Sequence, residues 1–560
     1  MATYLNPGKY AYEEAVRSAV FVDKTPMIRY LNSLVRTRDK YACVSRPRRF
    51  GKTMAVDMLS AYYGRGAGSR KLFQQTRLAT DEPSGEGGDA LPWDTYLGSF
   101  DVLRIVMTDF FTEGTSVKDA IVRLRQLVAR DVVREYPDAS YFDKGDLSQS
   151  MADAFAVSGR QFVVLIDEWD APFRVRKADA AGQRAYLDFL RGLLKDKGYV
   201  ALAYMTGILP IKKYGQHSAL NMFDEYSMTQ PQQLAEYVGF TAAEVRALCD
   251  DRGLRFEGMR EWYDGYRLSN RPSADLLAAG EVGAGLGGAD KSRVYEVYSP
   301  LSVVRAARSG RLANYWSRTE TYEALAEYIR MDFDGLRESV ALLMDGGRMA
   351  VDTSAYQNDM TTFRSRDDVL SLLVHLGYLG YDDETREVFV PNREILDEFR
   401  TSTSGDDWSG AFYEYESSKK LLKATLALNE GEVARLLEAA HDRAGNMTYH
   451  DEAALSYAIR LAYYAAQKHY TTVVELDSGK GYADVVYLPS PRRTDLPALL
   501  VELKYQKDAN TALEQIKRKE YPSRLAHYKG NMLLVGISYD RNARSDTAGY
   551  KRHSCRIERA

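Results

Sequence analysis

Histidine and cysteine are scarce in this 560-residue chain, which has 7 His and 3 Cys. The cysteines, Cys43, Cys249 and Cys555, lie far apart in sequence, so they offer neither a zinc ribbon nor a disulfide framework. The histidines form no HExxH or HxH motif. A catalytic metal is therefore expected to be a hard cation held by carboxylates, either Mg²⁺ or Mn²⁺.

Long apolar segments are also missing. No run approaches the roughly 18 consecutive apolar residues that span a bilayer. The first residues lack the basic-then-apolar pattern of a secretory signal. We therefore expect a cytoplasmic protein with no membrane partner, and the length predicts three or four domains at roughly 150 residues each.

Charge of either sign is not in excess, since 75 Lys and Arg face 78 Asp and Glu. The net charge of −3 excludes a globally basic nucleic-acid coat but allows a local basic groove. Positive charge gathers in residues 24–52, with nine basic and one acidic residue, and in 501–560, with thirteen and seven. Each stretch contains one of the motifs described below, where phosphates would bind.

The apolar patterns predict an α/β fold class with three regions. Strand and helix patterns alternate from residue 21 to 207, which predicts a parallel sheet flanked by helices. Helical patterns then dominate, and a linker-like stretch follows at 401–410. Further helical patterns precede four strands, TTVVEL, ADVVYL, ALLVELKY and NMLLVGIS. The predicted domains are 1–230, 231–400 (mostly helical) and 411–560.

A phosphate-binding loop is predicted between the strand YACVS and the next helix. The segment SRPRRFGKT ends in the Gly51, Lys52 and Thr53 of the GxxxxGK[ST] pattern, whereas Arg46 replaces the usual first glycine. Gly51 lets the backbone approach phosphate, and the amides at the helix start point at an anion. We expect Lys52 to reach the β and γ phosphates of ATP and Thr53 to ligate Mg²⁺.

The remaining loop residues, Arg48, Arg49 and Phe50, are predicted to contact the nucleotide. For the two arginines, a solvated basic face is an equally good interpretation of the charge run.

Two adjacent carboxylates supply the second half of the nucleotide site. Asp167 and Glu168 end the apolar strand FVVLID, so Asp167 is predicted to hold Mg²⁺ through water and Glu168 to orient the attacking water. Thr206 ends the next strand and is predicted to contact that water or the γ-phosphate. The alternative is that the two acids only end a strand and cap a helix.

A second site is predicted from an acid–lysine pattern near the C-terminus. Asp484 precedes an apolar strand segment, and Glu502 and Lys504 share one face of a later strand because side chains alternate along a strand. Asp484 and Glu502 are predicted to bind one or two Mg²⁺ ions, and Lys504 to position or help deprotonate water that attacks a phosphodiester. The alternative is a Glu–Lys surface pair on an edge strand.

Two further residues complete the predicted second site. Glu452 is predicted as an additional metal ligand, with Glu475 as a rival for that role. Gln515, in the helix after the strand, is predicted to orient the water or the scissile phosphate.

The motifs together resemble the AAA-ATPase-like family of bacterial and archaeal proteins, in which an ATPase module precedes a PD-(D/E)xK nuclease-like domain. The resemblance rests on SRPRRFGKT, FVDKT, FVVLIDEWDAPF and YMTGILPI in the first half. The middle contributes EWYDGY, VYSPLSVV, NYW and HLGYLGYDDETREVFVPNREI, and the last part GKGYADVVYL and LLVELKY. The match covers roughly residues 18–540.

The resemblance implies an N-terminal AAA-like P-loop sheet, a helical lid or connector and a C-terminal restriction-endonuclease-like domain. It implies that the arginine-rich form of the loop is normal. It also implies catalytic roles for Asp484, Glu502 and Lys504, although Ala483 stands where the pattern often has proline. Defence against foreign DNA and mobile-element biology are the settings that it suggests.

Three functions are compatible with these patterns. The first is an ATP-driven, metal-dependent nuclease, with DNA favoured over RNA. The alternative is an ATP-regulated nucleic-acid-binding or sensing protein whose nuclease fold does not cut, and the third is a scaffold without nucleotide hydrolysis. A homo-oligomeric ring would need an arginine finger from a neighbouring copy, and Arg267, Arg293 and Arg305 are equal candidates.

Overall fold

The structure is a computed structural model, and it describes most of the chain in segments. The described residues are 3–66, 68–81, 91–211, 220–270, 293–316, 322–331, 333, 335–358, 360–404, 408–444, 459, 462–477, 482–490, 493, 495–506, 508–518, 525, 528, 530–540 and 552–560. Residues 322–324, 409, 441–444, 474–477, 482–484 and 518 are described by their backbone alone.

Contacts divide the chain into two compact units. The first unit comprises Met1–Tyr328 and Ala350–Phe399, and the second comprises Ile329–Met349 and Arg400–Ala560. Most of the predicted middle region, 231–400, therefore shares a unit with the N-terminal sheet. The short segment 329–349 instead belongs with the C-terminal part.

A five-stranded parallel sheet forms the centre of the first unit, in the order β2-β3-β4-β1-β5. Its strands are β1 (Tyr41–Ser45), β2 (Asp101–Val106), β3 (Phe162–Asp167), β4 (Val200–Gly207) and β5 (Asp224–Tyr226). Strands β1, β3 and β4 are buried along their whole length, which explains why they are continuous apolar runs rather than alternating ones. The predicted parallel sheet is confirmed.

Helices precede the first strand of this sheet or lie between its strands in sequence. They are α1 (Tyr10–Val16), α2 (Met27–Leu34), α3 (Lys52–Tyr63), α4 (Arg70–Phe73), α5 (Arg77–Thr80), α6 (Val117–Glu135), α7 (Leu147–Ser158), α8 (Ala171–Val175) and α9 (Ala180–Leu194). Among the helices of the described segments, none is long and apolar enough to cross a membrane.

The middle region is helical, as predicted, but also contains a small antiparallel sheet that the sequence patterns did not predict. Its strands, in the order β6-β8-β7, are too short for a period-two pattern to stand out: β6 (Phe240–Thr241), β7 (Tyr266–Ser269) and β8 (Val294–Tyr298). The helices are α10 (Ala242–Arg252), α11 (Phe256–Tyr263), α12 (Pro300–Ser309), α13 (Tyr322–Ile329), α14 (Leu336–Met344), α15 (Arg366–Leu376) and α16 (Arg393–Ser402). Short strands β9 (Met349–Ala350), β10 (Gly380–Asp382) and β11 (Glu387–Phe389) lie among them.

The second unit is built on a mixed five-stranded sheet in chain order, β12 to β16. Its strands are β12 (Tyr470–Asp477), β13 (Tyr482–Pro489), β14 (Ala498–Tyr505), β15 (Met532–Tyr539) and β16 (His553–Arg559), with helices α17 (Ser409–Leu426), α18 (Glu430–Ala444) and α19 (Ala509–Arg518). The parallel pair β14–β15 is joined through α19, and the other pairs are antiparallel. Four strands match the predicted ones, and β16 was not predicted.

Both faces of this sheet are covered. Leu499, Val501 and Leu503 pack toward a core that includes residues of α17 and α18. The alternate residues Ala498 and Leu500 pack in a second cluster with the α19 side chains. Odd and even positions of β14 therefore face different helices, as the strand period requires.

Helix α14 belongs to this second unit although it lies far upstream in sequence. It packs against α17. The Ser339 and Tyr464 hydroxyls form a buried hydrogen bond of 2.8 Å, and the Lys468 ammonium lies 2.8 Å from a carboxylate oxygen of Asp345.

An ion-pair cluster attaches α18 to the start of β16. Glu438 accepts from Arg552 Nε at 2.7 Å and contacts His553 Nδ1 at 2.8 Å. Burial raises the pKa of Glu438, but the hydrogen bonds from His553 and Arg552 outweigh it and bring the pKa down to about 2. The charged carboxylate therefore stabilises the folded second unit.

This cluster predicts an acid-sensitive second unit. The pKa of Glu438 is lower in the folded than in the unfolded protein. Its contribution to the free energy of unfolding is therefore fully present above the unfolded pKa and is lost as the pH falls toward 2. Glu438→Gln is expected to lower stability at pH 7 and to flatten the loss between pH 4.5 and 2. Hydrogen exchange of β16 amides across that range checks it; equal pH dependence in both proteins would contradict it.

Candidate functional site

The phosphate-binding loop follows β1 and ends at α3. Gly51 is the N-cap of α3 and has a φ of +88°, a left-handed conformation that favours glycine. A Cβ there would meet nothing within 4 Å, so the backbone conformation, not space, requires the glycine. The loop is thus curled so that the first amides of α3 are available to an anion.

Lys52 is buried at the start of α3, with 7% of its surface exposed. Its ammonium donates to the carbonyls of Arg46 at 3.0 Å and Pro47 at 2.8 Å. Burial lowers the pKa of Lys52 to about 8, while the charges of Asp170 and Asp167 oppose that shift. The lysine is therefore held across the loop by neutral acceptors that an anionic phosphate can replace.

The predicted carboxylate Asp167 ends β3 on the same edge of the sheet as the loop. It is in register with Thr206 of β4, which is in register with Val44 of β1. Burial raises the pKa of Asp167, whereas a hydrogen bond from Thr53 and the charge of Lys52 lower it. The Thr206 hydroxyl donates to the Val44 carbonyl at 3.0 Å, so here it links two strands.

The backbone at Glu168 is not extended, unlike that of the strand it follows. Its φ of +51° is left-handed, which is strained for a residue with a side chain. Its carboxylate pairs with Arg174 at 2.7 Å, and Arg174 Nε lies 3.0 Å from Asp170. Asp170 is fully buried and accepts from the amides of residues 208 and 209. Arg174 and Asp170 were not predicted; their signal is the charge in the otherwise apolar run DEWDAPFR.

Arg46, which replaces the first glycine of the pattern, is a structural residue. It is fully buried, and its guanidinium donates to the carbonyls of Ser45, Tyr226 and Leu234 at 2.9, 2.8 and 3.2 Å. Burial lowers its pKa to about 10, which leaves it charged at neutral pH.

The predicted nucleotide contacts Arg48, Arg49 and Phe50 have different surroundings. Arg48 is exposed. Phe50 is fully buried, with its ring edge-on to Tyr266 at 5.2 Å, so it packs within the protein. Arg49 is half-buried, and burial lowers its pKa, as do the charges of Arg305 and Arg48. The last effect reflects a concentration of positive charge beside the loop.

The second predicted site lies on the α19 face of β14. Glu502 is 1% and Lys504 7% exposed, and the two side chains approach to 3.4 Å. Gln515 of α19 donates a hydrogen bond to the same carboxylate oxygen of Glu502. The structure thus brings together Glu502, Lys504 and Gln515, as the strand period and the following helix predicted.

A glycine on the neighbouring strand makes this arrangement possible. Gly536 of β15 is in register with Glu502. A Cβ at this position would lie 2.7 Å from the Ala509 carbonyl oxygen and 3.1 Å from the Ala512 Cβ. Gly536 therefore lets α19 lie close to the sheet, which keeps Gln515 within reach. It was not predicted, and its signal is a lone glycine inside the apolar strand NMLLVGIS.

The other predicted metal ligands are not described at the side-chain level. Asp484 lies on β13, but its side chain is outside the described residues, as is that of Glu475 on β12. Glu452 lies wholly outside them. Their convergence with Glu502 stays a prediction.

Two family models match the chain, and each covers a region that contains one of the candidate sites. Residues 12–216 match a family described as a predicted AAA-ATPase, and residues 455–547 match the PD-(D/E)XK nuclease superfamily. The chain joins an AAA-ATPase-like domain to a PD-(D/E)XK nuclease-superfamily domain. The loop, Lys52 and Asp167 lie within the ATPase-like match, and Glu502, Lys504 and Gln515 within the nuclease-superfamily match.

A curated relative is the "Uncharacterized protein in vnfD 5'region" of Azotobacter chroococcum mcd 1, 24% identical over 316 residues. The alignment covers 55% of this chain and 52% of that protein, so the chain spans about half the length of the curated relative it matches.

Two solved structures also align. The ORC2 protein of Aeropyrum pernix, solved as ADPNP–ADP complexes, is 12% identical, with a TM-score of 0.29 over 71% of this chain and 98% of that one. The ORC1 protein of the same organism, in complex with DNA, is 14% identical, with a TM-score of 0.23 over 73% and 99%.

The ATPase-like domain is expected to bind nucleotide less tightly above pH 8. Phosphates favour protonated Lys52, whose pKa in the free protein is about 8, so each pH unit above that value should weaken binding by up to about tenfold. Titration with a fluorescent ATP analogue from pH 7 to 10 measures this. Lys52→Arg stays charged and should lack that slope; the same slope in both proteins would contradict the assignment.

Gly536→Ala is expected to disturb the nuclease-superfamily domain. The added methyl collides with the backbone of α19, which should lower the free energy of unfolding by about 1–3 kcal/mol and separate Gln515 from Glu502. Gly431→Ala is the matched control, because the nearest atom to its new Cβ is 4.0 Å away. Urea unfolding compares the two variants, and equal stability would show that close packing at Gly536 is unimportant.

Proposed function

We propose that this chain is an ATP-dependent nuclease whose ATPase-like domain controls cleavage of a nucleic-acid phosphodiester, with DNA as the favoured substrate. The observation that carries the proposal is the grouping of Glu502, Lys504 and Gln515 on one buried face. A carboxylate and an ammonium are costly to bury without partners. Their placement on that face therefore supports a chemical role over a surface ion pair.

In the ATPase-like domain, the side chains fit a magnesium nucleotide. The Thr53 hydroxyl and the Asp167 carboxylate already interact, and both are oxygen donors of the kind that Mg²⁺ prefers. Lys52 would exchange its two carbonyl partners for phosphate oxygens. Glu168 would orient the attacking water once it leaves Arg174, and Arg174 would then keep its pairing with Asp170.

In the nuclease-superfamily domain, Glu502 offers carboxylate oxygens to a hard cation such as Mg²⁺ or Mn²⁺, with Asp484 and Glu452 as the further proposed ligands. When bound, such an ion supplies Lewis-acid activation of water and of the scissile phosphate. Lys504 would hold the attacking water and stabilise the charge that develops. Gln515 would fix the orientation of the Glu502 carboxylate through its hydrogen bond.

The charge distribution supports a nucleic-acid substrate. Residues 501–560 carry thirteen basic against seven acidic residues, although the whole chain is slightly acidic. A local basic surface favours phosphate backbones. We place the protein in the cytoplasm, and the family resemblance suggests defence or mobile-element biology. Self-association would supply an arginine finger.

Cleavage tests the nuclease half directly. With Mg²⁺ or Mn²⁺ and double- or single-stranded DNA, the wild-type protein is expected to cut, and Asp484→Ala and Lys504→Ala to lose at least about 100-fold in rate. Lys517→Ala is the matched control, because Lys517 is half-exposed and pairs with Glu558 at 2.6 Å.

The alternative function, a nucleic-acid-binding or sensing protein, gives a different result in the same assay. DNA would then bind in a nucleotide-dependent way and stay intact, and Glu502→Gln would bind as well as wild type. Cleavage unchanged in both active-site variants would reject the assigned residues.

Nucleotide turnover tests the ATPase half. Lys52→Ala is expected to lose nucleotide binding, whereas Glu168→Gln should retain binding and lose hydrolysis by at least about 100-fold, because only the orientation of water is affected. Equilibrium binding and phosphate release separate the two steps. Equal turnover in all three proteins would exclude this site as the source of hydrolysis.

A further inference from the structure

The proposed catalytic steps do not use three of the sequence motifs, VYSPLSVV, NYW and the one that ends in NREI. All three meet at one buried carboxylate, that of Glu394. Glu394, in the first turn of α16, is 1% exposed. One of its oxygens accepts from the backbone amides of Tyr315 at 2.6 Å and Trp316 at 3.0 Å. The other accepts from the Ser302 hydroxyl at 2.8 Å. The carboxylate therefore holds α12 and the loop at 314–316 in one place.

The same loop contacts the phosphate-binding loop. The carbonyl of Trp316 accepts a hydrogen bond from Arg49 Nη1 at 3.2 Å. The two amides bound to Glu394 lie at residues 315 and 316, so the carboxylate fixes the very backbone segment that carries this carbonyl. Glu394 is connected to Arg49 through a single residue.

Arg49 is a side chain that needs such support. Its backbone is left-handed, with φ +70°. Burial lowers the pKa of Arg49, and the charges of Arg305 and Arg48 lower it further. The charge of Glu394 acts in the opposite sense, favouring the guanidinium. The Trp316 carbonyl therefore gives the Arg49 guanidinium a fixed partner before any phosphate arrives, and the charge of Glu394 favours the charged form of that guanidinium.

We infer that Glu394 is a positioning residue for nucleotide binding: it fixes the 315–316 backbone, whose carbonyl holds Arg49 of the phosphate-binding loop in the orientation that receives the nucleotide phosphates. This inference rests on the proposed nucleotide site. Preorganisation of the arginine removes part of the ordering cost of binding. Loss of the carboxylate is therefore expected to weaken binding without removing a direct contact.

The same helix provides a matched control. Glu398, one turn further along α16, is also a buried acid at 2% exposure. It accepts from the Asn314 side-chain amide at 2.7 Å, and burial raises its pKa as it does that of Glu394. Glu398→Gln removes a buried charge from α16 but keeps an oxygen that can accept from Asn314, and it leaves the Glu394 hydrogen bonds in place.

The experiment is a nucleotide-binding titration of the full chain with a fluorescent ATP analogue, accompanied by thermal unfolding of each variant. Glu394→Ala and Glu394→Asp are expected to weaken binding about three- to tenfold, the value of one or two hydrogen bonds. Glu394→Gln keeps an acceptor for both amides and should restore most of the affinity, and Glu398→Gln should match wild type. Glu394→Asp keeps the test informative if the alanine variant does not fold.

A double-mutant cycle separates positioning from general destabilisation. If Glu394 acts through Arg49, then Glu394→Asp should have no further effect on affinity in an Arg49→Ala background. Additive losses, or wild-type affinity in Glu394→Asp, would overturn the inference. Failure of the wild-type protein to bind nucleotide would instead refute the proposed function on which it rests.

Discussion

A guanidinium buried beneath the phosphate-binding loop is the constraint on which the first unit depends. Arg46 donates to three carbonyls, those of Ser45, Tyr226 and Leu234, and so joins the end of β1 to β5 and to the chain beyond it. The glycine common at this position in other phosphate loops could not make these bonds. Arg46 therefore anchors the start of the loop to the protein interior, and the end of the loop at Gly51 and Lys52 remains available to a ligand.

The two sites solve one electrostatic problem in related ways. Each places a lysine and carboxylates in a poorly solvated position, and each balances the cost of burial with hydrogen bonds inside the protein. Lys52 uses backbone carbonyls, which are neutral and replaceable by an anion. Glu502 uses an amide and an ammonium on the same side of a sheet, where a substrate phosphate and a cation would complete the set.

The site residues that the sequence predicted are those whose positions depend on the strand period or on the ends of parallel strands. Glu502 and Lys504 share a face because they are two residues apart, and Asp167 lies at the loop edge because parallel strands end together. Residues that act over long separations escaped prediction: Gly536 matters through a helix that packs on it, and Glu394 through a loop about eighty positions upstream. β16 was missed because its apolar residues alternate with charged ones over only seven positions.

The path of the chain between the two units affects how such proteins can be inherited. The second unit takes helix α14 from within the sequence of the first, so the backbone passes between them at 328–329, 349–350 and 399–400. A recombination event that joined residues 400–560 to another gene would leave behind the helix that packs on α17 and supplies a partner for Tyr464. A C-terminal half recombined in this way would expose the surface of α17 that α14 covers. We therefore expect the two halves to be inherited together as one gene.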